Sequence, residues 1–165
     1  MIIRPEKPAD AAAIREVLVS AFGHRQEADL VERLRGDGDL ILALVAEEDG
    51  AITGYVAFSR LWIERCGMRV PGIGLAPVAV LPSRQRKGTA RALIGTGHLR
   101  LKTLGETVVF VLGDPDYYAR FGFSREIAKA FDCVYQGDYL QALRLSPDAP
   151  EAGEVIYAPA FAGLE

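Results

Sequence analysis

The apolar run Leu75 to Leu81 leads through Pro82 into Gln85-Arg86-Lys87-Gly88-Thr89-Ala90, and a segment of helical character begins near Gly88. No other stretch limits the possible architecture so strongly. A strand that passes through a basic, glycine-bearing loop into a helix aims several backbone N–H groups at one point, because the first turn of a helix leaves them unpaired. That point suits a pyrophosphate. Arg84, Arg86 and Lys87 place positive charge there although the chain carries a formal net charge of −3 and a pI near 5.5. Basicity confined to one loop favours a small anionic ligand and argues against nucleic acid as a partner.

Beyond the loop, Ala92, Leu93, His98, Leu99 and Leu101 to Leu104 predict a helix ending near Gly105, and Val108 to Leu112 is an unbroken apolar run. Such a run suits a strand covered on both faces. Strand, crossing helix and central strand together imply one parallel βαβ pair in a mixed sheet, with ligands bound at the carboxyl ends of its strands. Upstream, Ile2-Ile3-Arg4 reads as a strand and Pro8-Ala9-Asp10 as the start of a helix with Ile14, Val17, Leu18 and Phe22 at helical spacing. A second helix is expected to bury Leu30, Val31 and Leu34 and to turn Glu27, Glu32 and Arg33 outward, before Gly36-Asp37-Gly38-Asp39 breaks it. Strands then follow at Leu40 to Ala46 and from Ile52 to about Ile63, joined by Glu48-Asp49-Gly50. Cys66-Gly67 turns the chain into a long strand to Val80 that Pro71 and Pro77 interrupt. Asp114-Pro115 opens a short helix holding Tyr117 and Tyr118 and stopped by Gly122. Two last strands are expected, one within roughly Cys133 to Leu145 and one around Glu154 to Tyr157.

The 165 residues suffice for one domain, 1–165, that buries roughly two thirds of its unfolded surface. No apolar stretch approaches the roughly 20 residues of a membrane span, and residues 1–5 show no leader, so a soluble, cytoplasmic protein is expected. Cys66 and Cys133 stand apart from each other and from any C-x-x-C pair, which also fits a reducing compartment. His24 and His98 are the only imidazoles, too few for a multi-ligand transition-metal site, and no metal is expected.

Leu75-Ala76-Pro77-Val78-Ala79-Val80-Leu81-Pro82 followed by Gln85-x-x-Gly88-x-Ala90 resembles the acyl-CoA signature of the GNAT superfamily of N-acetyltransferases. Tyr117-Tyr118-Ala119-Arg120-Phe121-Gly122-Phe123 is similar to the tyrosine-containing segment after the fifth strand of that superfamily. The chain further resembles a subgroup of small bacterial proteins with an early Glu-x-x-Leu-Val helix, here Glu27 to Val31, and a Gly-Asp-Pro-x-Tyr-Tyr-x-Arg-Phe-Gly-Phe block, here Gly113 to Phe123. The resemblance implies an α/β fold of the mixed α+β kind: a mostly antiparallel sheet of about seven strands, about four helices on its two faces, and one parallel βαβ crossover. Other phosphate motifs fit poorly. A Walker A loop needs Gly-Lys-Ser/Thr where this chain has Lys87-Gly88-Thr89, and Gly72-Ile73-Gly74 has Pro77 where a dinucleotide fold needs its third glycine.

What the resemblance implies is acetyl transfer from acetyl-CoA directly to a primary amine of a small molecule or protein, without a covalent intermediate; the alternative is a domain that binds or senses acyl-CoA without catalysis. Transfer needs a held thioester, a neutral amine, a stabilised oxyanion and a partner for the departing thiolate. By resemblance, Val78, Ala79 and Val80 present backbone groups to the pantetheine arm, and Gln85, Arg86, Lys87, Gly88, Thr89 and Ala90 hold the pyrophosphate. Read from residues alone, Val78 to Val80 serve equally as ordinary buried strand positions, and Arg84 and Arg86 as solvated loop charges. Tyr118, four residues before Gly122, matches the position whose phenol points at the coenzyme sulfur; the competing arrangement packs Tyr118 between helix and sheet and turns Tyr117 to the site. Glu27, with His24 three residues before it, is the candidate base, against an exposed role beside the helix macrodipole or a relay through water. Asp114 is read as a helix cap. Exposed strand edges near the C-terminus offer a surface for a homodimer.

Overall fold

Side chains leave a strand on alternating faces, so a strand with both faces apolar must be covered twice. The computed structural model, which describes residues 1–163, shows this along β3 (Ala51–Arg65), where Tyr55, Val56, Ala57 and Phe58 are all fully buried. Tyr55 and Ala57 meet α1 (Ala11–Phe22) and α2 (Gln26–Asp37) through Ile14, Val17, Leu18, Ala28 and Val31. Val56 and Phe58 meet α3 (Thr89–Thr103) through Leu93, Ile94 and Leu101 on the other face. Each such side chain contributes about 1.5–3 kcal/mol of burial, so the two layers fix where the first turns of α2 and α3 come to rest.

Around β3 lie β1 (Ile2–Pro5), β2 (Leu40–Glu48), β4 (Met68–Val80), β5 (Val108–Leu112), β6 (Phe131–Asp132), β7 (Leu140–Arg144) and β8 (Gly153–Ile156). The main path runs β1-β2-β3-β4-β5-β7, with β8 pairing β3 and β6. β3 is long enough to hold two partners in succession, β2 along Ala51 to Ser59 and β8 along Trp62 to Glu64. Within the main path only β4 and β5 run parallel, joined over the sheet by α3; off it, β6 pairs β8 in parallel. Two short helices, α4 (Pro115–Ala119) and α5 (Arg125–Ala128), complete the set. The architecture is therefore the expected mixed one, with eight strands in place of about seven and five α-helices in place of about four among the described residues. The extra elements, β6 and α5, are two and four residues long, too short for a periodic signal to mark them.

β4 runs on through Pro71, which pairs with Trp62, whereas at Pro77 its ladder to β3 is interrupted, as expected. Both prolines lie outside Ile73, Gly74 and Leu75, the only residues of β4 that pair with β5. A residue without an N–H costs no ladder bond on an unpaired side. At Pro77 the β3 ladder shifts register, passing from Val56↔Val78 to Phe58↔Leu75. The consequence for the site is direct: β5 stops pairing with β4 at Val111, opposite Leu75, beyond which Ala76 and Pro77 have no ladder partner and Val78 to Val80 pair with β3 only. Toward the C-terminus, the edges expected to be open are partly covered. β6 lies on β8, and Ser124 exchanges two backbone hydrogen bonds with Ala142 of β7, at 2.9 and 3.0 Å.

Candidate active site

After β4 the chain makes a 3-10 turn at Pro82–Arg84 and enters α3 through Gly88, which sits in the left-handed region at φ +81°. A side chain there would cost about 1–2 kcal/mol, and the space in front of Gly88 is open. No side chain caps α3 at this end. Its first N–H groups and the positive end of its dipole therefore face a groove of about 600 Å³ between the loop and the unpaired side of β4. Val78, Ala79 and Val80 line the groove, together with Arg84, Gln85, Arg86, Gly88, Thr89 and Ala90. Lys87 does not line it and is exposed. Two of the polar side chains are already engaged: Gln85 Nε2 donates to the Val80 carbonyl at 3.2 Å, and an Arg84 guanidinium nitrogen lies 3.5 Å from a Glu48 carboxylate oxygen. Both contacts hold the loop against the sheet, and Thr89 is buried, so the loop offers a ligand its backbone N–H groups together with Arg86. Three further residues line the groove that the sequence reading did not assign to it: Arg91, Tyr117 and Arg120, whose guanidinium lies 4.8 Å from the Tyr117 ring centre. The Tyr-Tyr-x-Arg spacing carried that signal.

A second pocket, of about 310 Å³, shares Val78 with the groove. Tyr118 and Glu27 both line it. The choice between the two tyrosines is thus divided: Tyr118 faces this pocket and Tyr117 faces the groove. Burial, with a smaller contribution from the neighbouring Tyr117, pushes the Tyr118 phenol up to about 12. Its ring lies so close to the backbone at Gly113 that a Cβ there would come within 2.4 Å of it, which explains the glycine of that block. Asp114 accepts from the Asp116 N–H at 3.0 Å and caps α4, as expected.

Glu27 is not turned outward. It lies one helical step from Leu30, and residues three apart share a face, so burying Leu30 brings Glu27 to the pocket wall with its side chain 21% exposed. His24 Nδ1 is 3.1 Å from Glu27 Oε2, while His24 itself is half exposed. That carboxylate oxygen is buried and receives no aligned hydrogen bond. The far wall is aromatic. Tyr135, Tyr157 and Phe161 meet edge to face, with ring centres 5.1 and 5.3 Å apart along the series. Burial raises the Tyr157 phenol well above its ordinary range. No motif marks these three residues; only their aromaticity in an otherwise patternless stretch hinted at them. Neither cysteine lines either cavity, and burial raises the Cys133 thiol, the opposite of what a nucleophile needs.

A groove at the uncapped start of a helix, opening at one strand onto a pocket with a carboxylate and a phenol, is a layout suited to group transfer. The acetyltransferase (GNAT) domain family matches residues 2–125, and the chain belongs to that family, whose activity is acetyl transfer to an amine. It is 40% identical over 152 residues, 90% of each chain, to the uncharacterized N-acetyltransferase YhbS of Escherichia coli (strain K12). The solved structure of the GNAT family N-acetyltransferase YhbS from Escherichia coli in complex with CoA superposes with a TM-score of 0.89 at 38% identity, covering 97% of this chain and 91% of that one. A GNAT family acetyltransferase from Brucella melitensis in complex with acetyl-CoA superposes with a TM-score of 0.82 at 40% identity, covering 97% of both.

Proposed function

We propose that residues 1–165 form one acetyltransferase domain that binds acetyl-CoA in the groove beside β4 and passes the acetyl group directly to a primary amine in the adjoining pocket. The observation that carries this is Val78, the residue common to both cavities, on a strand whose backbone is unpaired on that side. The pyrophosphate rests on the amides around Gly88 at the start of α3, and the pantetheine arm runs along Val80 to Val78 as an added strand would. The thioester then ends at the mouth of the pocket. The amine nitrogen attacks the carbonyl carbon, the C–N bond forms, the C–S bond breaks, and the thiolate leaves.

Glu27 is the proposed base. At neutral pH only about one lysine-like amine in a thousand is uncharged, so a carboxylate beside the incoming nitrogen removes a real barrier. His24, in contact with both Glu27 and solvent, provides the proton's exit. Tyr118 hydrogen-bonds the departing sulfur. With its phenol near 12 and a thiol near 8.5, full proton transfer would be uphill by about 5 kcal/mol, so the phenol donates a hydrogen bond and keeps its proton. Two unpaired cysteines support a reducing cytoplasm as the place of work.

A thiol-release assay with acetyl-CoA over a panel of amines tests this reading. Tyr118→Phe should lower kcat by about a hundredfold with little change in coenzyme affinity by calorimetry. Equal turnover removes Tyr118 from its role, and coenzyme binding without turnover on any amine replaces the transferase with a sensor.

A further inference from the structure

Resting on the transferase reading above, we infer that the acceptor is a primary monoamine carried on a compact aromatic or branched apolar body, with no anionic group. The pocket beside Tyr118 has about 310 Å³, room for about ten water-sized groups. Its wall is apolar and aromatic, with Leu30, Leu112, Phe22 and Phe161 among the lining residues. Among the described residues its polar side chains besides Glu27 are the phenols of Tyr118, Tyr135 and Tyr157, and it holds no lysine, arginine, serine, threonine or amide side chain. A polyhydroxylated amine would leave hydroxyls unpaired there, each at about a tenfold loss of affinity. An acceptor carboxylate or phosphate would find no cation to meet it.

The one charged group on the wall is Glu27, and its buried Oε2 lacks an aligned donor despite the nearness of His24. A buried acceptor without a donor is a standing cost that an N–H from a bound ammonium relieves. The tyrosines add to the preference, since ring faces attract cations, and the Tyr135 phenol is already committed to the Phe161 carbonyl at 3.3 Å. One negative charge among apolar walls thus selects one amine on an apolar body.

Matched pairs give the test. Wild-type protein is first titrated with CoA by calorimetry, and kcat/KM is then measured by thiol release for 2-phenylethylamine against phenylalanine, and for cyclohexylamine against glucosamine. The apolar member of each pair should be favoured at least about tenfold. Leu112→Lys, at an exposed rim position, should raise KM for 2-phenylethylamine about tenfold while coenzyme affinity holds. Equal or better transfer to phenylalanine or glucosamine overturns the assignment of acceptor class and leaves the transferase standing. An unchanged KM in Leu112→Lys overturns the pocket as the acceptor site. Coenzyme binding without acetylation of any of the four amines also overturns the inference, and the absence of coenzyme binding removes the reading beneath it.

Discussion

The two cavities that meet at Val78 are built by opposite means. The groove is drawn mostly from one continuous stretch, from the open side of β4 through Gly88 into α3, with Gln85 and Arg84 holding that stretch against the sheet and Tyr117 and Arg120 joining from outside it. The pocket shares β4 with the groove at Leu75 to Val78 and otherwise gathers residues scattered along the chain, from the end of α1, α2, the end of β5, α4, Tyr135 and the segment around Tyr157 to Phe161. A ligand common to a whole family can be held by backbone, which tolerates sequence change. One that differs from member to member needs side chains, and these can vary without disturbing the first site.

The largest expected effect would show the limits of that independence. His98 of α3 is buried among Phe58, Phe121 and Phe123, its Nε2 has no partner, and burial lowers its pKa from 6.5 to about 4. The folded state therefore resists a proton that the unfolded chain accepts. Stability is full above about pH 6.5 and falls toward pH 4 by about 3 kcal/mol. Because this cluster also packs beside Tyr118, acid should loosen both cavities together, and His98→Leu should flatten the fall in denaturant melts between those pH values. A second variant separates the cavities: Gly88→Val, forced to φ +81°, should weaken CoA binding about a hundredfold by calorimetry. Unchanged affinity would show that the backbone there is not the anion site. Glu27→Gln should lower kcat/KM about tenfold at neutral pH and leave CoA affinity alone, with the deficit shrinking as pH rises toward the pKa of the amine. Smallest of all, Arg84→Ala should change CoA affinity by less than about fivefold, because its partly exposed contact to Glu48 is worth under about 1 kcal/mol.

The same division explains what the amino-acid sequence revealed. The groove was legible because its residues adjoin one another and glycine, proline and charge punctuate them; even so, Lys87 was counted with it although it does not line the groove. The parallel βαβ pair followed from the apolar run Val108 to Leu112, of which Val108 to Val111 are buried on both faces of the sheet. Glu27 was read as outward because helical periodicity assigns faces relative to the core, and a cavity in that core is invisible to it. Tyr135, Tyr157 and Phe161 escaped notice because only tertiary packing brings them to the pocket. Pro71 looked like a break because the sequence does not say which side of a strand lacks a partner.

The contact of Leu30 and Leu34 with Ala158, Ala160 and Phe161 joins residues more than a hundred positions apart. As the chain emerges from a ribosome, everything that lines the groove is already present by residue 120, whereas the pocket waits for its last wall. Closing so long a loop is slow and entropically costly. On the proposed assignment of the two cavities, a nascent chain would hold every residue of the coenzyme site before the acceptor site is complete, and ligand held early would favour the compact state while the remaining residues arrive.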